Sequence, residues 1–236
     1  MLDIASFNML FLDQNIKGLC AKFGVDFYQF LSDFNVDGVT ELSILDLEAV
    51  AEEYEVDFYA LLFKPLFIYD HLRDKLAQIK LLILDVDGVM TDAGMYYTES
   101  GDQMKKYNAK DGMAIMKAQE AGLKIGIISS AFTDQMVVKR AELLKISHVY
   151  VGRDQKLGVL ENWCNELGIS LQEVAMIGDD INDLSIMEKV GFTCCPVDAV
   201  QLVKQQVDVV LKTPGGKGAI RELIDNFLLP EPIKNF

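Results

Sequence analysis

The chain has 236 residues, half of them hydrophobic and a quarter charged, which suits one sizeable globular domain plus a small one. Its net charge of −14 excludes bulk attraction to nucleic acid or an anionic membrane, so an anionic ligand needs a local cluster of Lys and Arg. Lys64 and Pro65 interrupt the most promising apolar run, Asp3 stands in an N-terminus without basic residues, and Cys20, Cys164, Cys194 and Cys195 lack zinc spacing. No membrane span, no secretory leader and a cytoplasmic location are therefore expected.

Residues 1–75 read as a small all-α domain. Apolar residues recur at helical spacing in Ile16-Leu19-Cys20-Phe23, Phe27-Phe30-Leu31-Phe34 and Leu45-Leu47-Val50-Ala51-Tyr54. Gly24-Val25-Asp26, Asn35-Val36-Asp37-Gly38 and Glu55-Val56-Asp57 carry the turn and capping chemistry between them. The order of helices and the stretch Leu47 to Leu62 resemble a degenerate phage-repressor-type helix-turn-helix domain. Binding to DNA is nevertheless not expected. Residues 1–75 hold 5 Lys and Arg against 14 Asp and Glu, and no basic residue lies between Phe23 and Phe63. Such a surface repels the phosphates from which duplex affinity comes. Pro65 and the mixed segment to Gln78 form the expected connection to a second domain, 76–236.

From Ile79 the pattern becomes alternating strands and helices, the signature of an α/β fold with a doubly wound parallel sheet. Buried strands are expected at Leu81–Asp85, Lys124–Ser129, His148–Gly152, Val174–Asp179 and Gly191–Val197. Helices are expected over Asp111–Ala121, Thr133–Leu144, Gln155–Leu167 and Asn182–Val190. Asp111 and Thr133 suit N-cap positions, and Gly122, Gly168 and Gly191 suit the left-handed residue after a helix. One segment departs from alternation: residues 93–98 and 103–108 flank Glu99-Ser100-Gly101-Asp102 and read as a projecting β-hairpin.

The chemistry gathers at strand ends. Asp85 and Asp87, two apart after four aliphatic residues, face one spot, and Gly88 lets the chain turn there. Such a pair describes a metal site, a nucleophile with its acid/base partner, or both. An EF-hand start is the competing reading of D-x-D, but Val89 sits where that loop needs an oxygen. Ser129, Lys156 and Asp179 fall at the ends of later strands or the helix beyond. Three or more acids invite magnesium, and a lysine with a hydroxyl complements phosphoryl oxygens. Gly215-Gly216-Lys217-Gly218 lacks the upstream Gly and following Ser or Thr of a P-loop.

On the phrases DVDGVMTD (85–92), YNAKDGMAI (107–115), YVGRDQKL (150–157), IGDDINDL (177–184) and GGKGAIRE (215–222), the chain resembles haloacid-dehalogenase-superfamily phosphatases. Within them it resembles the capless enzymes acting on 3-deoxy-D-manno-octulosonate 8-phosphate. The resemblance implies Asp85 as nucleophile, Asp87 as acid/base, and Ser129 and Lys156 as phosphate-binding groups. It implies Asp85, Asp87 and Asp179 as Mg2+ ligands supported by Asp180 and Asp183, with substrate contacts at Asn108, Lys110, Asp111, Gly112 and Arg140. It further implies a small-molecule sugar acid phosphate as substrate and a homotetramer whose hairpins complete neighbouring sites. The gaps from Asp87 to Ser130 and from Ser129 to Lys156 are too short for a cap domain. Ser130-Ala131 replaces the Gly-Arg usual after the family's hydroxyl, which keeps nine-carbon keto-deoxy acid 9-phosphates in view. A sugar-phosphate-responsive regulator is the alternative of another class.

Overall fold

Chain turns of one kind recur in the N-terminal part. In the computed structural model, α1 (Ile4–Phe23) and α2 (Phe27–Asp33) are joined through Gly24 in the left-handed region (φ 71°), with the Val25 N–H donating to the Cys20 carbonyl at 2.9 Å. The link from α3 (Ile44–Glu53) to α4 (Phe58–Phe63) repeats this through Glu55 (φ 51°), with Val56 N–H donating to Ala51 O at 2.9 Å. Asp26 and Asp57 then cap the next helix by accepting from Gln29 N and Ala60 N. The two Val-Asp-Phe-Tyr segments are thus one structural unit used twice. Ile16, Leu19, Phe30, Leu47, Val50 and Leu61 pack the core between the helices. Buried Asn15 ties it together, donating to Leu61 O and accepting from Leu66 N, both at 2.8 Å. Leu45, part of the expected apolar run, is 75% exposed. Two residues before Leu47 on a helix, it lies on the opposite side.

The structure describes residues 4–63, 66–67, 72–130, 135–153 and 155–229, so the expected Thr133 cap and the Lys64–Pro65 connection lie outside the described residues. The chain divides into two units, Met1–Arg73 and Asp74–Phe236. Among the described residues no helix is long and apolar enough to cross a membrane.

Helix α5 (Arg73–Ala77) spans the division, and the second unit continues with β1 (Leu81–Leu84), whose four residues are all buried. The hairpin β2 (Tyr96–Tyr97) and β3 (Gln103–Met104) comes next, antiparallel with Tyr96 opposite Met104. Then follow α6 (Ala109–Glu120), β4 (Lys124–Ser129), α7 (Gln135–Leu143), β5 (His148–Val151), α8 (Lys156–Leu167) and β6 (Val174–Ile177). The chain closes with α9 (Leu184–Met187), β7 (Phe192–Cys195), α10 (Gln201–Lys204), β8 (Val209–Val210) and α11 (Ala219–Leu223). The main sheet is parallel throughout, in the order β5-β4-β1-β6-β7-β8. Connections leave the central pair toward opposite edges, so the switch point lies between β1 and β6, where a doubly wound sheet opens a crevice for ligands. Leu81, Ile83, Ile128, Val174 and Met176 belong to the core cluster that holds these strands.

Three details correct the sequence expectations. Helix α6 starts one turn early: Asn108 is the N-cap, accepting from Lys110 N at 2.8 Å, while Asp111 lies inside the first turn. Gly122 and Gly168 adopt the expected left-handed conformation, but Gly191 does not. Its constraint is close approach, since a Cβ there would stand 1.9 Å from the Gln172 carbonyl oxygen. The strand β8, two residues long, is too short to carry a period and was not anticipated.

Gly191→Ala should accordingly destabilise the second unit by about 1–3 kcal/mol through overpacking against a backbone that cannot yield. Thermal unfolding should show a clearly lowered Tm, and an unchanged Tm would contradict the close approach.

Candidate active site

Strand β1 carries the first acid to the switch point: Asp85 N–H still donates to Ile177 O of β6 at 3.1 Å, after which the chain turns away. Gly88, at φ 85°, makes that turn, and a Cβ on it would meet Asp179 Oδ2 at 2.0 Å. Only glycine lets the two acidic loops lie this close. Behind it the segment around Gly215 packs backbone to backbone, a Gly215 Cβ standing 1.8 Å from Gly88 O and Gly216 N donating to Val89 O at 2.9 Å.

The carboxylates of Asp85, Asp179 and Asp183 lie within 4.8 Å of one another. Lys156, at the first turn of α8 and buried, donates to Asp85 Oδ1 at 2.7 Å and to Asp183 Oδ1 at 2.6 Å. The other oxygen of Asp183 accepts from Asp179 N at 3.0 Å, and Asp180 caps the same turn through Ile181 N at 2.7 Å. Asp183 is therefore fixed between a cation and a backbone amide and holds the loop that presents Asp179. A cavity of about 400 Å³ opens in front, with Asp85, Asp87, Ser129, Asp179 and Asp180 among its walls and Met95, Tyr97, Gln103 and Lys105 contributed by the hairpin region.

Three carboxylates around one ammonium leave the site short of positive charge. Burial, then the charge of Asp183, pushes Asp85 up to about 8, opposed by Lys156. Burial and the charges of Asp183 and Asp180 push Asp179 up to about 7. Lys156 is raised in turn, since Asp85 and Asp183 outweigh its own desolvation. Asp179 Oδ1 is buried without a hydrogen-bond partner. An orphaned, repelled carboxylate oxygen beside a second carboxylate is the donor set of a hard divalent cation such as Mg2+, which the residues present therefore fit.

The sequence-derived residues separate into two groups. Asp85, Asp87, Ser129, Lys156, Asp179, Asp180 and Asp183 converge. The carboxylate of Asp87 stands outside the three-acid cluster, paired with Lys105 Nζ and 3.4 Å from Thr91 Oγ1. Asn108, Lys110, Asp111, Gly112 and Arg140 form a second cluster that does not line the cavity. There Asn108 Nδ2 donates to Gly216 O at 3.2 Å, Asp111 Oδ1 accepts from Arg221 N at 2.8 Å, and Arg140 donates to Asn108 O at 3.3 Å while its guanidinium lies over Tyr107. A Cβ on Gly112 would meet Arg140 Nη2 at 2.6 Å. Lys105 escaped the sequence reading. Its signal was alternation along a hairpin strand, which puts Gln103 and Lys105 on one face.

The raised acids set a pH dependence. A carboxyl whose folded pKa lies above its unfolded value stabilises the fold at low pH and loses that contribution as pH rises through the folded value. For Asp85 and Asp179 that window opens at about pH 4, the ordinary carboxyl value, and closes at about 7 to 8, where the loss is complete. The Tm of metal-free protein should fall as pH rises through that window, and saturating Mg2+ should raise it more above the window than below. Asp179→Asn should remove most of the Mg2+ effect; a Tm insensitive to Mg2+ at high pH would contradict the cation site.

A family model of haloacid dehalogenase-like hydrolases matches residues 141–223. The 3-deoxy-D-manno-octulosonate 8-phosphate phosphatase of Salmonella typhi is 37% identical over 161 residues, 68% of this chain and 85% of its own length. The Yersinia pestis phosphatase of that name superposes with a TM-score of 0.66 at 34% identity, covering 68% of this chain and 86% of that one. The Moraxella catarrhalis enzyme, in complex with a magnesium ion, a phosphate ion and KDO, gives 0.65 at 32% identity, covering 67% and 91%. With most of the relatives' length matched and an acidic pair at the switch point of the sheet, the chain belongs to the 3-deoxy-D-manno-octulosonate 8-phosphate phosphatase family of haloacid dehalogenase-like hydrolases.

Proposed function

We propose that this chain hydrolyses a 2-keto-3-deoxy sugar acid phosphate, 3-deoxy-D-manno-octulosonate 8-phosphate foremost, by magnesium-dependent transfer of the phosphoryl group to Asp85. The observation that carries this is the Asp85 carboxylate, buried at the switch point, bonded to Lys156 and facing a cavity that also holds Asp87, Ser129 and Asp179. In the first step an Asp85 oxygen bonds to phosphorus while the bond to the sugar oxygen breaks, and Asp87 gives that oxygen its proton. In the second, Asp87 takes a proton from water as the water oxygen bonds to phosphorus, and the bond to Asp85 breaks to release inorganic phosphate. Lys156 and the Ser129 hydroxyl bind the transferred oxygens, and Asp183 keeps Lys156 in place. Asp85 and Asp179 would hold the cation, which when bound neutralises phosphoryl charge, while the Asp87 carboxylate, paired with Lys105, stays outside that cluster for the proton transfers.

The eight-carbon substrate is favoured by the relatives' names. A nine-carbon acid phosphate is the second reading, supported by Ser130-Ala131 in place of Gly-Arg; Ser130 Oγ accepts from Asn182 Nδ2 at 3.3 Å rather than offering a cation. The helical residues 1–75 form a separate domain in this reading, and the whole acts in the cytoplasm. Met95, Tyr96, Tyr97 and Met104 on the hairpin are 48–63% exposed, an apolar surface that a homotetramer packed through hairpins would cover.

Asp85→Asn should abolish phosphate release while the fold persists, because the amide is a poor nucleophile and ligand. Release within about tenfold of the parent would overturn the aspartyl-phosphate route. A screen with Mg2+ over eight- and nine-carbon keto-acid phosphates should rank the eight-carbon ester first. Light scattering should give a tetramer; a fully active monomer would exclude packing through the hairpins.

A further inference from the structure

Lys105 is buried in an unusual place. Its side chain is 9% exposed, although it follows directly on β3 of a hairpin whose apolar Tyr96, Tyr97 and Met104 are 48–58% exposed and its neighbour Lys106 is 59% exposed. Burying a lysine ammonium is costly unless it is paired, and here its partner is the Asp87 carboxylate. Asp87 is in the opposite situation: its side chain is 41% exposed, on a turn, with only a weak 3.4 Å contact from Thr91 besides. Among the described residues that line the cavity, Lys105 is the single Lys or Arg.

We propose that Lys105 is a positioning residue that holds the Asp87 carboxylate aimed at the leaving-group oxygen and, afterwards, at the attacking water. The inference rests on the acid/base reading of Asp87 given above. Proton transfer requires the carboxyl oxygen within hydrogen-bond reach of its partner, and a half-exposed aspartate on a turn samples several rotamers that miss it. A charge-assisted bond from a buried, extended lysine selects one of them. The hairpin thereby becomes part of the reaction machinery, contributing geometry to both steps.

The test is steady-state kinetics with Mg2+ for the parent, Lys105→Met, Lys105→Arg, Asp87→Asn and the Lys105→Met/Asp87→Asn double variant. Two substrates are used: 3-deoxy-D-manno-octulosonate 8-phosphate, and p-nitrophenyl phosphate, which has no carboxylate. Lys105→Met should lower kcat about 10- to 100-fold on both, with KM for p-nitrophenyl phosphate within about threefold of the parent. Lys105→Arg should recover much of the loss, and the double variant should be no slower than Asp87→Asn alone. Unchanged kcat, losses that multiply in the double variant, or a defect confined to KM for the sugar acid would overturn the proposal, the last outcome making Lys105 a substrate-carboxylate ligand. Circular dichroism and light scattering on each variant keep misfolding or disassembly apart from the kinetic effect, with Lys105→Arg deciding should Lys105→Met not fold. A parent that turns over neither substrate would remove the phosphatase reading itself; an active parent with an indifferent Lys105→Met removes only the role of Lys105.

Discussion

One ammonium group, that of Lys156, holds the architecture of the site together. Its bonds to Asp85 and Asp183 join the first strand of the sheet, the helix after the third and the loop after the fourth at a single point. Each carboxylate alone would be expensive to bury, and the lysine alone equally so; together they are tolerable because geometry is good and the remaining oxygens are largely satisfied. The exception is Asp179, whose buried oxygen has no partner and whose carboxyl is held raised by its neighbours. A fold that leaves one such oxygen open beside an otherwise satisfied network has reserved it for something with positive charge.

The sheet supplies the geometry that this network needs. Parallel strands buried on both faces put their carboxyl ends in one plane, and the reversal of winding between β1 and β6 prevents crossover helices from covering that edge. Asp85 and Asp179 stand on either side of that gap. The hairpin region, projecting from the same edge, supplies further walls of the cavity.

Much of this was legible in the residues. Runs such as Leu81-Leu82-Ile83-Leu84 and Val174-Ala175-Met176-Ile177 are buried strands because no polar residue interrupts them, and acids directly after them must sit at the sheet edge. What escaped was set by contacts distant in sequence. Asp111 looks like a cap in isolation, but Asn108 takes that place and Asp111 turns inward to the backbone of Arg221. Gly191 looks like a helix terminator, but its demand comes from Gln172 on another segment. Alternation puts Lys105 and Lys106 on opposite faces of the hairpin, but only the distant Asp87 decides which face is buried. The duplicated turn of the N-terminal unit is written in Val-Asp-Phe-Tyr, which stands at 25–28 and again at 56–59.

The packing of Gly215 against the Gly88 carbonyl, with Gly216 bonded to Val89, has a consequence for how the protein comes into being. Residues near the start of the second unit make the acidic turn, but the floor on which it rests follows the last strand of the sheet. During synthesis strand β1 emerges before the rest of the sheet, and its loop is braced only after the last strand has been made. Long-range closure of this kind slows folding, because the entropy of a long loop is lost before the contact forms. It also means that a truncated product, however much of the sheet it contains, presents its acids on an unsupported turn.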